Sequence, residues 1–164
     1  MSRLALLAAL PLSLTAAACQ PTGGASPQLE RSAAGLQQVP LTVRTAAGAV
    51  HNFTVEVAST PEEQQMGLMN RPSLAPDRGM IFPHEPPRMA SFWMKNTLIP
   101  LDIIFVRPDG TIVNIAENTV PLSLEPVASL EAVGAVLELA GGRTAELGIK
   151  AGDKVEWVHT AAAQ

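Results

Sequence analysis

The apolar runs of this chain are short and constantly interrupted, and that limits what it can fold into more than any other feature. From Leu41 onward, strand-like stretches are broken by turn signals roughly every eight to twelve residues, in a sequence holding 12 glycines and 14 prolines. Such spacing favours a β-barrel or sandwich over a layered α/β fold. The expected fold class is therefore mainly β, a single compact barrel or sandwich-like domain with one or two short helices. The sequence contains no internal repeat and offers no second domain.

The local signals are specific. LTVRTAA and HNFTVEVA flank Gly48, and in the second segment Phe53, Val55 and Val57 alternate with Thr54 and Glu56, which reads as a β-hairpin with one apolar face. In STPEEQQMGLMNR, Thr60 reads as an N-cap, Pro61 as the first helical residue, and Glu63 completes a T-x-x-E capping box. A helix of about two turns follows. GMIF, ASFWM and LDIIFV are three further strand-like runs, joined by the proline-bearing PHEPPR and KNTLIP. Asp109-Gly110 marks a tight turn before TIVNIA. A proline-punctuated loop leads to the apolar run AVGAVLELA. Then come a Gly-Gly break, one helical turn in RTAELG, and a last turn and strand in AGDKVEWV.

The N-terminal residues follow another logic. MSRLALLAALPLSLTAAA carries Arg3, an apolar run from Leu4 to Leu14, and small residues up to Cys19. That is the layout of a secretory signal, and the run is shorter than the roughly 20 residues of a membrane-spanning helix. Residues 1–18 are expected to be a signal peptide and the product to be exported to the periplasm. Cys19 is the sole cysteine, which excludes an internal disulfide. Its place after TAAA resembles a bacterial lipoprotein signal, in which that cysteine is acylated, although Ala16 stands where such signals usually carry leucine. Ala16 and Ala18 also fit an ordinary A-x-A cleavage site, which would release a soluble protein. A leftover cysteine in an exported protein favours lipid attachment at Cys19, with the membrane as a partner, and Gln20 then points to the outer membrane. Residues 19–40, rich in Gly, Pro, Ser, Ala and Gln, read as a flexible tether. Residues 41–159 read as the domain and 160–164 as a tail. With 15 acidic and 11 basic residues there is no basic stripe, and nucleic acid is excluded as a partner class.

EVASTPEEQQMGLMNR, GMIF, FWMKNTLIPLDIIFV, VLELAGG and GIKAGD follow one another in this chain. In order and spacing they resemble the bacterial and archaeal family catalogued as domain of unknown function 192, over about residues 50–158. The resemblance implies a compact, mainly β domain that is often exported. It implies no activity.

The candidate site residues come from alternation. In ASFWMK read as a strand, Trp93 and Lys95 share a face. If that strand pairs with LDIIFV as a hairpin about Leu98 and Ile99, Lys95 falls opposite Asp102, beside Trp93 and next to Asn96 and Thr97. Trp93, Lys95, Asn96, Thr97 and Asp102 would then form a polar pocket for a small polar ligand such as a sugar or a carboxylate-bearing fragment. The bland alternative is an ion pair that neutralises itself at a sheet end. Glu56 and Arg71 form a second candidate pair, whose first expectation is a bidentate clasp of helix to sheet, with ligand contact as the other possibility. Glu138, alternating with Leu137 and Leu139, reads as solvent-facing.

Catalysis has little support. The chain lacks a G-x-S-x-G elbow, and His51, His84 and His159 have no motif partner. The expectation is an exported, lipid-anchored, non-catalytic binding module for a small polar ligand or an envelope protein, with no cofactor and no metal. One alternative is an envelope hydrolase using Asp102 or Glu56. Another is copper(I) binding through Met66, Met69, Met80, Met89 and Met94, against which stands the ordinary role of methionine as filler of irregular cores.

Overall fold

The computed structural model describes residues 31–158. The expected signal peptide, Cys19, most of the expected tether and the expected tail lie outside the described residues. Among the described residues, no helix is long and apolar enough to cross a membrane.

Nine strands and two short helices run in the order β1 (Gln38–Arg44), β2 (Val50–Val57), α1 (Pro61–Met66), β3 (Arg78–Arg88), β4 (Ser91–Phe92), β5 (Leu101–Val106), β6 (Ile112–Ala116), β7 (Val127–Ala128), β8 (Val133–Ala140), α2 (Arg143–Leu147) and β9 (Lys154–Trp157). Seven strands make one sheet in the order β6-β5-β8-β3-β2-β1-β9, and β4 pairs with β7 in a small second sheet. The large sheet curls into a half-barrel. Its outermost strands approach through a bridge between Thr111 and Lys154, and Val155 N donates to Gly110 O at 2.8 Å. The mainly β expectation, with two short helices, is met.

The local signals act as their chemistry requires. β1 and β2 form the antiparallel hairpin about Gly48. Thr60 caps α1 by accepting from Glu63 N at 3.2 Å, and the Glu63 carboxylate accepts from Thr60 N at 2.9 Å, which completes the capping box. β2 and β3 pair in parallel. Parallel neighbours need a crossover, and α1 with its following loop provides it.

Two apolar clusters lie on opposite faces of the sheet. The inner one, inside the curl, collects Val39, Leu41, Val43, Phe53, Val55, Ile81, Ile104, Leu137, Leu139 and Val155. The outer one collects Met80, Phe82, Leu101, Ile103, Phe105, Val133 and Val136, covered by Leu68, Ala90 and Met94. Phe92 packs edge-on against Phe82 and Phe105, with ring centroids 5.1 and 6.4 Å away. The central strands β3, β8 and β5 are therefore buried on both sides, which explains why LDIIFV is buried at all six positions. β3 and β8 run so close that a Cβ on Gly79 would sit 2.5 Å from Glu138 O, so only glycine fits there.

The structure corrects the expected hairpin between ASFWM and LDIIFV. Strand pairing in the first run ends at Phe92, because Met94 to Thr97 form a tight turn in which Thr97 N donates to Met94 O at 3.0 Å. Asn96 takes the left-handed conformation in that turn (φ 55°), which asparagine tolerates well. β5 instead pairs with β8 and β6. Lys95 and Asp102 consequently do not pair. Lys95 Nζ lies over the Trp93 ring, 5.1 Å from its centroid.

Asp102 has a different task. It is fully buried on the inner side of β5, and its carboxylate accepts from Asn118 N (2.7 Å), Gly142 N (2.8 Å), Thr144 N (2.7 Å) and Thr144 Oγ1 (2.7 Å). One side chain thus gathers the loop after β6 and the start of α2 onto β5. Replacing it by alanine would leave the buried Thr144 N–H and hydroxyl, and the partly buried Asn118 and Gly142 N–H groups, without their acceptor, at about 1–3 kcal/mol per buried unsatisfied group after partial relaxation. Asp102→Ala is expected to cost about 3–5 kcal/mol in urea unfolding. A loss under about 1 kcal/mol would show that the carboxylate does not hold this end of the sheet together.

Candidate functional site

The outer cover of the sheet is incomplete. Between α1 with its following turn, the outer faces of β3 and β8, and the segment from Arg88 to Thr97 there remains a cavity of about 240 Å³. Its lining is mixed: the apolar and aromatic part consists of Met66, Leu68, Met69, Phe82, Phe92 and Trp93. Its polar groups are Gln64, Gln65, His84, Arg88, Ser91, Thr97 and Glu138.

Glu138 is the unusual member. Strand alternation sends Leu137 and Leu139 into the inner core and Val136 and Glu138 to the outer face, as the sequence implied. That outer face is not open to water, and the expectation of a solvent-facing acid is corrected: Glu138 is 5% exposed. Its register neighbours are Met80 on β3 and Ile103 on β5, both fully buried, so it is flanked by apolar side chains. Neither carboxyl oxygen has a hydrogen-bond partner among the described residues. Burial pushes its pKa up to about 8, so it is a neutral acid at pH 7, with an O–H to give and a carbonyl oxygen to receive.

His84, farther along β3, is 6% exposed, and its Nδ1 is buried without a partner. Desolvation, helped by the Arg88 charge, lowers its pKa to about 4, so this imidazole is also uncharged at pH 7. The Gln64 amide is fixed between backbone and cation. Its Nε2 donates to Ala58 O (3.2 Å) and Pro83 O (3.0 Å), and its Oε1 accepts from Arg88 Nη2 at 3.2 Å. Arg88 has no carboxylate within 4 Å among the described residues. The cavity therefore presents one unpaired cation and two neutral, unpartnered buried groups. That combination could hydrogen-bond and orient a guest, because its polar groups are not already paired with one another.

The residues anticipated from sequence divide among several places. Trp93, 51% exposed, and Thr97, buried, line the cavity. Lys95 stands outside the lining, stacked on Trp93. Asn96 holds the turn: its carbonyl accepts from Asn70 N at 2.8 Å, and its Nδ2 approaches Met69 Sδ at 3.9 Å. Asp102 lies on the opposite face of the sheet. Glu56 and Arg71 form a bidentate pair (2.7 and 2.5 Å) that clasps the crossover loop to β2, and they line a separate surface cavity of about 380 Å³ with Arg31 and Arg78. Glu56 lies on the outer face of β2 and Asp102 on the inner face of β5, so these two acids do not confront each other across a cleft. Of the methionines, Met80 and Met94 are buried in the outer core, Met66 and Met69 line the cavity, and Met89 is exposed.

A third, wider depression of about 530 Å³ opens beside β9, but Asp109 is held by Lys154 and Thr111, and Glu156 by Arg44. Asp109 and Glu156 are thus engaged there, with the exposed Glu85 on the rim, whereas the buried Glu138 has no partner among the described residues. Glu138, Arg88 and Gln64 were absent from the sequence-derived set. The available signal was an acid inside a run long enough to be buried on both faces, VGAVLELA, where alternation alone misleads.

Comparison with known proteins agrees with this architecture. A family model described as an uncharacterised family, domain of unknown function 192, matches residues 42–157. A crystal structure of a protein of unknown function from Novosphingobium aromaticivorans is 51% identical, covers 82% of this chain and 94% of its own, and superposes with a TM-score of 0.75. A second, described as a putative transcription regulator from Sinorhizobium meliloti, is 43% identical over 74% of this chain and 95% of its own, with a TM-score of 0.73. No curated protein matches. The chain belongs to the domain of unknown function 192 family.

Proposed function

We propose that this protein is an exported, lipid-anchored binding module of the cell envelope whose domain holds a small polar ligand in the cavity over Glu138. Export and anchoring rest on the signal-like N-terminus and on Cys19. The ligand-binding reading rests on one observation above others: a carboxyl group 5% exposed, without a hydrogen-bond partner, opening into a cavity. Leaving a buried polar group unmatched costs about 1–3 kcal/mol, and a guest that bonds to it recovers that cost. The cavity lies just under the range of about 300–1,000 Å³ typical of drug-sized ligands, which suits a fragment-sized guest. Trp93 offers a half-open indole face at the entrance, and Thr97 a hydroxyl in the wall.

A non-catalytic role fits the disposition of the acids better than hydrolysis does. Both carboxylates that the sequence offers for acid and base chemistry are engaged elsewhere, Asp102 with four donors and Glu56 with Arg71. Among the described residues, Glu138 is the one acid lining the cavity, without the second carboxylate of a glycosidase pair.

Two tests follow. A panel of neutral sugars, amino acids and organic acids, screened by NMR on the 15N-labelled full-length protein, should include compounds that shift the Trp93 indole and Thr97 amide signals together. Trp93→Ala should weaken those compounds about tenfold, the scale of one lost aromatic contact. A panel that leaves both signals unmoved would reject the site. The second test concerns stability. Glu138 binds its proton more tightly folded (pKa about 8) than unfolded (about 4.5), so its favourable contribution is complete below pH 4.5 and is lost as pH rises toward 8. Glu138→Gln cannot titrate. In urea unfolding its stability relative to the natural protein should rise by about 1.4 kcal/mol per pH unit across that window. A difference independent of pH would show that Glu138 is not held neutral.

A further inference from the structure

We infer that the ligand of this cavity is a small carboxylate with an apolar body, which accepts a hydrogen bond from the Glu138 carboxyl and takes its counter-charge from Arg88. This rests on the ligand-binding reading above and adds the chemical class. Every charged or titratable group near Glu138 points the same way. On β3, His84 is neutral and Arg88 cationic without a carboxylate partner. On the covering segment, Lys95 supplies a second cation beside Trp93. On α1, the Glu63 carboxylate is consumed by Ser59 N and Thr60 N. On β2, Glu56 is neutralised by Arg71. On β5, the neighbour is Ile103, and Asp102 faces the other side. The cavity thus offers no fixed negative charge to an amine, and one cation without a carboxylate partner, Arg88, to an acid, with Lys95 outside the lining beside Trp93.

The lining fixes the rest of the guest. Phe82, Phe92, Met66 and Met69 offer an apolar wall to the guest's body beside the polar groups, and a compact, doubly charged anion would lose hydration against that wall. A monovalent carboxylate sharing the Glu138 proton makes a charge-assisted O–H···O bond, roughly twice as strong as a neutral one. Binding then requires Glu138 protonated. Affinity is level below its pKa and falls tenfold per pH unit above it.

Phenylacetate, with phenylacetamide and phenethylamine as neutral and cationic matches and glucose as a polar control, tests this on the full-length protein carrying 13C-methyl methionine. Met69 reports from the cavity wall, Met66 from its exposed rim and Met89 from the open surface away from it. Phenylacetate should shift the two cavity methyls at pH 6.5 and bind about tenfold more weakly at pH 9. Arg88→Gln, a change at an exposed position, should weaken it at both pH values. Glu138→Gln should keep binding but lose the fall at pH 9. Tighter binding of phenethylamine or glucose than of phenylacetate would overturn the carboxylate assignment while leaving the ligand-binding reading in place. Silence of the cavity methyls toward all four compounds would overturn both.

Discussion

Everything distinctive about this domain follows from three adjacent strands, β3, β8 and β5, that must be kept dry on both faces. A half-barrel covers only its concave side. The convex side needs a second cover, and the chain builds it from pieces that are not sheet: the short helix α1, the turn that follows it, and the segment leading through Trp93 to Thr97. Leu68, Ala90 and Met94 seal most of the outer apolar cluster. A cover made of turns and one helix of six residues does not close as tightly as a packed sheet. The gap it leaves is the cavity over Glu138.

Three carboxylates in the same sheet show how the fold distributes its polar contacts. Asp102 receives four donors and organises a sheet end. Glu56 receives a guanidinium and fastens the crossover. Glu138, on the same outer face as Glu56 and separated from it by Met80 on β3, receives neither. The contrast matters because a buried carboxyl costs stability unless it is matched. A chain able to satisfy two such groups so fully, while leaving the third facing an opening, has the arrangement expected of a site whose missing partner arrives from solution.

The sequence was most readable where chemistry is local. Thr60, Pro61 and Glu63 specified the helix start, Gly48 and Asp109-Gly110 the hairpins, and the clasp of Glu56 by Arg71 followed from alternation and guanidinium geometry. It was least readable where long-range pairing decides. FWMKNT is apolar enough to pass for a strand, but Asn96 in the left-handed conformation turns it back, and β5 finds β8 rather than its sequence neighbour. That one choice separated Lys95 from Asp102. Glu138 was hidden for the same reason. Alternation gives the face a residue points to, and only the tertiary cover decides whether that face is wet.

The most direct measurement is the ionisation of Glu138 itself, followed through its Cδ signal in the protein labelled with 13C-glutamate, from pH 4 to pH 10. The account predicts a midpoint near 8, displaced from the 4.5 of a free side chain. A midpoint near 4.5 would mean that water already reaches and satisfies the carboxylate, and the claim of a desolvated, unmatched acid facing the cavity would be wrong.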